Sequence, residues 1–304
     1  VSNAKKILIL GSEGFIGHHL VQGFSSMGYQ VTKADIKLKE EDNYILINAE
    51  LPDFTSIFSG RAFDVCVNAT GAANVQLSFN HPGIDYSLNV ANVFQILDAI
   101  RRYNPACKFI NLSSAAVYGN PAETPIRETA ATLPLSPYGM HKLYSEQICR
   151  EFSRFFNVQT ISLRIFSAFG EGLRKQLFWD LFKKIKAAEG VVELFGTGKE
   201  SRDFIYIKDL VTAIECVVRN GTFDGSVINI ASGTESTIEF AARCFVKAFK
   251  KDIAIRFTGD NKIGDPLNWR TDISLLRSLG FNNRYSLEEG INNYVKWVKE
   301  NGSD

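Results

Sequence analysis

The stretch Tyr138-Gly139-Met140-His141-Lys142 sets a phenol and an ammonium four residues apart. On a helix both side chains project from one face. A cation beside a phenol favours the phenolate, so the tyrosine pKa is expected to fall toward working pH. Such a tyrosine can take a proton from a sugar or alcohol hydroxyl while hydride leaves the carbon. Ser114, upstream, is the residue expected to hold the same oxygen by a hydrogen bond. Tyr-x-x-x-Lys alone also describes a solvated helix face, and a serine at a strand end is commonly structural. The functional reading rests on the elements that carry the three residues.

Lys108 to Leu112 reads as a strand, which places Ser114 at its carboxyl end. Pro137 suits the first turn of a helix that continues through Ile148. Asn120 to Pro137, rich in proline, threonine and alanine, is expected to be an ordered loop over the site. At the start of the chain, Lys5 to Leu10 reads as a strand and His18 to Met27 as a helix. Between them runs Gly11-Ser12-Glu13-Gly14-Phe15-Ile16-Gly17. Strand, glycine turn and helix in that order are what a dinucleotide fingerprint requires. Gly11 permits the tight turn, Gly14 lets the backbone approach a pyrophosphate, and Gly17 lets helix and strand lie close. Phe15 and Ile16 open the helix whose N–H groups and dipole face the phosphates. The alternative is an ordinary strand-to-helix turn.

Asp35 ends the next strand-like run, Tyr29 to Asp35. There a carboxylate can accept from the adenosine ribose hydroxyls and repel a 2′-phosphate, favouring NAD over NADP. Lys33 and Lys37 weaken that preference without reversing it. Tyr44 to Asn48 reads as a third strand and Asp64 to Ala69 as a buried fourth. Ala69, Thr70 and Gly71 at its carboxyl end are expected to face the cofactor; close packing is the other explanation. Ile84 to Tyr103 reads as one long helix with Asn89 inside it. Its apolar residues cover more than one face, which points to a dimer interface or an intrachain cap.

Beyond a sixth strand, Val158 to Ile165, helices are expected at Gln176 to Ala188, Lys208 to Arg219, Glu239 to Phe249 and Ser286 to Lys299. Short strands fall between them, and this part reads as a smaller α/β cap. The formal net charge of +1 argues against a nucleic-acid or membrane partner. No apolar run reaches the roughly 20 residues that cross a bilayer, and no signal-peptide pattern precedes the first strand. The cysteines Cys66, Cys107, Cys149, Cys216 and Cys244 are scattered, which points to free thiols in a reducing cytoplasm. His18, His19, His81 and His141 show no metal-ligand spacing.

Together these stretches resemble the extended short-chain dehydrogenase/reductases, specifically the NAD-dependent nucleotide-sugar epimerase/dehydratase family. The resemblance covers nearly the full length. It rests on Gly11-x-x-Gly14-x-x-Gly17, Asp35, Asn89-Val90, Ser113 to Gly119, Tyr138-x-x-x-Lys142, Arg164-x-Phe166 and Arg202-Asp203-Phe204-x-Tyr206-x-x-Asp209. It implies a Rossmann-type doubly wound parallel sheet over 1–166, to which 204–232 return. A substrate cap would comprise 167–203 and 233–304. It also implies Ser114, Tyr138 and Lys142 as catalytic residues, with Tyr138 as base and acid. Lys142 would bind the nicotinamide ribose and depress the tyrosine pKa. Arg202 matches an arginine that meets the donor's diphosphate. Lys262 stands where many relatives carry a second phosphate-binding arginine, and Ser167 where many carry a substrate-contacting asparagine.

Ala115 and Ala116 stand where 4,6-dehydratases of the family carry an Asp-Glu pair. Neither alanine can transfer a proton, which argues against dehydration. Decarboxylating relatives usually have an acid there too, and the GDP-sugar epimerase-reductases a cysteine at the Ala115 position. What remains needs only Ser, Tyr, Lys and NAD, and a cytoplasmic, homodimeric 4-epimerase of a UDP-hexose fits that minimum. It would belong to nucleotide-sugar metabolism and serve cell-surface polysaccharide synthesis. The alternatives are a 4-keto-sugar reductase using NADPH and a non-catalytic NAD-sensing or scaffold protein.

Overall fold

In parallel strands covered on both faces, side chains on either side of the sheet must be apolar, so the strands read as unbroken hydrophobic runs. β1 (Lys6–Leu10) shows this in a computed structural model describing residues 4–259 and 267–302: Ile7, Leu8, Ile9 and Leu10 are all buried. α1 (Phe15–Ser26), β2 (Gln30–Asp35), β3 (Tyr44–Leu46), α2 (Phe54–Phe58) and β4 (Val65–Asn68) follow. α3 (Val75–Asn80), α4 (Pro82–Tyr86), a π-helical turn at Ser87–Ala91 and α5 (Asn92–Tyr103) lead to β5 (Lys108–Ser114). A 3-10 turn (Ala115–Val117) and a long loop then precede α6 (Pro137–Phe156) and β6 (Thr160–Ile165).

The next elements are β7 (Ser167–Phe169), α7 (Gln176–Ala187), β8 (Val191–Leu194), β9 (Ser201–Tyr206), α8 (Ile207–Asn220) and β10 (Val227–Ile230). β11 (Glu235–Thr237), α9 (Ile238–Phe249), β12 (Ala254–Phe257), α10 (Ser274–Ser278) and α11 (Leu287–Asn301) complete the chain. One sheet has the order β10-β6-β5-β4-β1-β2-β3, and every pairing in it is parallel. From β1 the chain builds outward through β2 and β3, then crosses to β4 and builds the other way. The switch point thus lies between the carboxyl ends of β1 and β4, where open α/β sheets take ligands. β7, β9 and β11 form a small mixed sheet, and β8 pairs with β12.

Alternate residues of each strand feed different cores. Ile7, Ile9, Val65 and Val67 join the core under α1 and α8, continuous with the cap. Leu8, Leu10, Cys66 and Phe109 pack with Phe58, Ile96, Ile100 and Phe152 from α2, α5 and α6. Each such side chain stabilises the fold by about 1.5–3 kcal/mol on full burial.

α6 begins where its sequence dictates. Ser136 accepts from the Gly139 N–H at 3.2 Å, Pro137 takes the first position, and the helix ends at Asn157 in the left-handed region. The Ser286/Glu289 capping box of α11 is formed as expected. The long helix expected over Ile84–Tyr103 is present as one continuous helical run from Pro82 to Tyr103, widened by the π turn between α4 and α5. The widened turn carries buried Asn89, whose amide donates to the Ala72 carbonyl at 3.2 Å.

Candidate active site

The glycine turn joins the two strands at the switch point. Gly11 has φ of +79°, and a Cβ there would stand 2.6 Å from the Ala69 carbonyl oxygen. A Cβ on Gly17 would overlap the Gly11 carbonyl. Gly14 caps α1 without any side-chain hydrogen bond, so the helix leaves the N–H groups of its first turn, at Phe15 and Ile16, open toward a ligand. Asp35 holds the turn from the next strand: one carboxylate oxygen accepts from the Glu13 N–H at 2.9 Å and the other from the Ile36 N–H at 2.8 Å. The Ser12 hydroxyl and the Asn89 amide oxygen are buried without a hydrogen-bond partner among the described residues.

Beyond β4, Asn68 accepts from the Thr70 hydroxyl at 2.5 Å and from its N–H at 3.2 Å, which fixes the Ala69-Thr70-Gly71 corner. A Cβ at Gly71 would overlap the Asn89 side-chain oxygen and lie 3.5 Å from Lys142 Nζ. The corner, the π turn and α6 therefore converge on one point.

β5 supplies the other side. The Leu112 carbonyl accepts from Lys142 Nζ at 3.0 Å, and the Ser114 hydroxyl accepts from the Ala116 N–H at 3.2 Å as the strand turns into the 3-10 turn. Tyr138 and Lys142 are both buried on the inner face of α6, with Nζ 6.0 Å from the phenol ring centre. Burial pushes the Tyr138 phenol up to about 12, against the pull of its hydrogen bond with Ser114, and Asp85 pushes the same way. Burial pulls the Lys142 ammonium down to about 8, against the charges of Asp85 and Glu146. This corrects the expected electrostatics: Lys142 is not among the groups that move Tyr138, and desolvation outweighs the local charges.

Cap residues approach from β6 onward. Ile165 pairs with Ser114 across β5 and β6, and Ser167 follows two residues later at the start of β7. β7 pairs with β9, where Arg202 donates to the Ser201 carbonyl at 2.8 Å and lies over the Trp269 ring. Lys262 lies outside the described residues. Lys175, in the loop after β7, donates to the Ala73 carbonyl at 3.2 Å, tying that loop to the Gly71 corner.

Two buried polar pairs around α6 were not legible in the sequence. Glu146 accepts from Ser113 at 2.6 Å and binds Arg164 in a fork, at 3.0 and 2.7 Å. His141 Nδ1 lies 2.6 Å from the Asp85 carboxylate, with Asp85 fully buried. His141 occupied the middle of the motif, but its partner is on α4, and no local spacing joins the two.

A family model described as "NAD dependent epimerase/dehydratase family" matches residues 7–231. A putative UDP-glucose 4-epimerase of Methanocaldococcus jannaschii is 27% identical over 97% of this chain and 99% of its own length. Among solved structures, the UDP-N-acetylglucosamine 4-epimerase of Methanobrevibacter ruminantium, in complex with UDP-N-acetylmuramic acid, superposes with a TM-score of 0.86. It is 25% identical and covers 98% of this chain and 99% of that one. The UDP-glucuronic acid 4-epimerase of Bacillus cereus, in complex with UDP-glucuronic acid and NAD, has the same fold. Its TM-score is 0.87 at 24% identity, over 97% of this chain and 99% of that one.

Proposed function

The chain belongs to the NAD dependent epimerase/dehydratase family, and from that premise we propose that it is an NAD-dependent 4-epimerase of a UDP-hexose. The observation that carries the reading is the convergence of Ser114, Tyr138 and Lys142 at the carboxyl end of β5, beside Ala115 and Ala116. The site has one proton-transferring phenol facing a serine, and alanines where elimination would need carboxylates.

The residues fit a dinucleotide. Gly11 and Gly17 leave no room for a side chain, α1 has an uncapped N-terminus, and Ser12 and Asn89 carry buried oxygens without partners among the described residues. Gly11, Gly14, Phe15, Ile16 and Gly17 would hold the pyrophosphate, and Asp35 the adenosine ribose. Ala69, Thr70, Gly71 and Asn89 would line the nicotinamide side, with Tyr138 and Lys142. NAD, when bound, supplies reversible hydride acceptance. The chain's own part is the proton. The Tyr138 oxygen takes it from the sugar 4-hydroxyl, holds it while the sugar is a 4-ketone, and returns it when the opposite C4 epimer forms. Ser114 donates a hydrogen bond to that oxygen and so fixes it against the phenol. Lys142, on the same face of α6 with Nζ 6.0 Å from the phenol ring centre, would bind the nicotinamide ribose and orient it toward Tyr138. Ser167 and Arg202 would meet the donor from β7 and β9; Lys262, outside the described residues, is the second diphosphate contact that the family resemblance implies.

The same reading divides the chain into the dinucleotide unit, 1–166 with 204–232, and the cap of 167–203 and 233–304. It also makes the protein cytoplasmic and a homodimer, serving cell-surface polysaccharide synthesis. Protein purified without added nucleotide and then denatured should release NAD or NADH in near-stoichiometric amount. A site that takes up only NADPH would favour the keto-sugar reductase, and one that binds neither dinucleotide would sink the proposal.

A further inference from the structure

The buried Asp85–His141 pair has no part in the reaction outlined above. α4 delivers Asp85 to the inner face of α6, where His141 sits directly before Lys142. His141 Nδ1 is within 2.6 Å of one carboxylate oxygen, and an imidazole nitrogen facing a carboxylate at that distance donates its hydrogen, whether the ring is neutral or charged. The second carboxylate oxygen is buried and has no hydrogen-bond partner among the described residues. Burying a carboxylate with half its acceptors idle is costly unless a cation nearby offsets it.

Besides His141 itself, the charged groups around Lys142 point to that cation. On its own helix it faces Tyr138 and Glu146, but Glu146 is engaged on both oxygens by Arg164 from β6. β5 offers the Leu112 carbonyl, with Lys108 at the strand's far end. α3, the π turn and the 3-10 turn carry no ionisable side chain, and Asp98 on α5 is paired with Arg101 and Arg102. That leaves Asp85. It lies one turn before Asn89, whose side-chain oxygen borders the same Gly71 corner as Lys142 Nζ.

We propose that Asp85 is a positioning residue for the reaction: His141 fixes its carboxylate behind the catalytic helix, where it serves as the buried counter-charge of the Lys142 ammonium. The proposal rests on the epimerase reading for the use of that charge, but not for its existence. Asp85 is the largest single influence holding the lysine proton against burial. It also disfavours the Tyr138 phenolate, as the smaller effect on that group. The pair thus keeps the site in its phenol-plus-ammonium state until substrate and dinucleotide arrive.

The test is an NMR titration of the full chain labelled with 13C at lysine Cε, with the Lys142 signal assigned by its loss in Lys142→Met. In the unsubstituted protein Lys142 is expected to titrate near pH 8, where burial places it. Asp85→Asn removes the charge at constant size and is expected to lower that midpoint by about one pH unit or more. If Asp85→Asn fails to fold, the histidine carries the test. His141→Leu leaves the carboxylate without the donor that fixes it and free to turn away from α6, so the Lys142 midpoint is expected to fall as in Asp85→Asn. His141→Gln restores a donor and the unsubstituted midpoint. An unchanged midpoint in Asp85→Asn or His141→Leu overturns the proposal. Loss of 4-epimerase activity in every assay would count against the epimerase reading and leave this titration readable.

Discussion

Lys142 carries a charge into a place where burial opposes it, and that opposition can be measured. Its pKa in the folded chain, about 8, lies below the ordinary lysine value of 10.5. Between those values the unfolded chain binds the proton and the folded chain does not, so this residue's contribution to stability rises with pH over about pH 8–10.5. Below that window the folded state bears the full cost of a buried ammonium. Lys142→Met, similar in size and uncharged, is therefore expected to stabilise the dinucleotide-stripped protein at pH 7 by up to about 3 kcal/mol while abolishing turnover. The gain should vanish above about pH 10.5 in denaturant melts. A variant less stable than the parent at pH 7 would contradict the burial cost. At this scale the proposed catalytic residues could be picked out, because Tyr138 and Lys142 lie about one helical turn apart and Ser114 ends a plain strand. Asp85 and His141 were not, since 56 positions separate them and only the fold brings them together.

Elements explain why those side chains hold still. α6 is pinned by Lys142 to β5, by Glu146 to Ser113 and Arg164, and by its Ser136 cap. Arg164 also donates to the Tyr118 hydroxyl at 2.8 Å, which in turn donates to Asn229 at 2.7 Å on β10. Removing one member of such a buried pair leaves the other charge uncompensated. Glu146→Leu is expected to destabilise the protein by about 3–5 kcal/mol, read as a lower denaturation midpoint. A loss below about 1 kcal/mol would mean that Arg164 finds other acceptors or water. The strands of the large sheet were readable because burial on both faces demands continuous apolar runs. β7 and β11, three residues each, have too little sequence to show a period, and the small sheet they build with β9 could not be foreseen. The π turn was missed for a different reason: apolar spacing alone does not show one extra residue in a helical turn.

Across the whole molecule, alternating strands and helices made the parallel sheet legible, and the switch point followed from it. The surface adds what the pattern left open. α6 turns Met140, Tyr144 and Phe155 outward along one stripe, with Phe155 67% exposed, and Phe94 of α5 stands exposed beside Phe152. Described residues include no helix long and apolar enough to cross a membrane. A second copy of the chain is the proposed cover for this face, and light scattering should report a dimer. Phe155→Glu should raise the dimer dissociation constant at least about tenfold, the effect of roughly 1.4 kcal/mol. A monomeric parent protein would contradict the assignment.

The central claim is that a hydride leaves C4 of a UDP-sugar and returns to the same carbon within one site, with Tyr138 moving the proton. Proton NMR of UDP-glucose, its N-acetylated analogue and UDP-glucuronic acid, each incubated with the purified protein in D2O, tests it most directly. At least one sugar should equilibrate with its C4 epimer without deuterium entering at C4, and Tyr138→Phe should slow this by about 10²–10⁴-fold. Deuterium at C4, or consumption of added NADPH without inversion, would contradict the account.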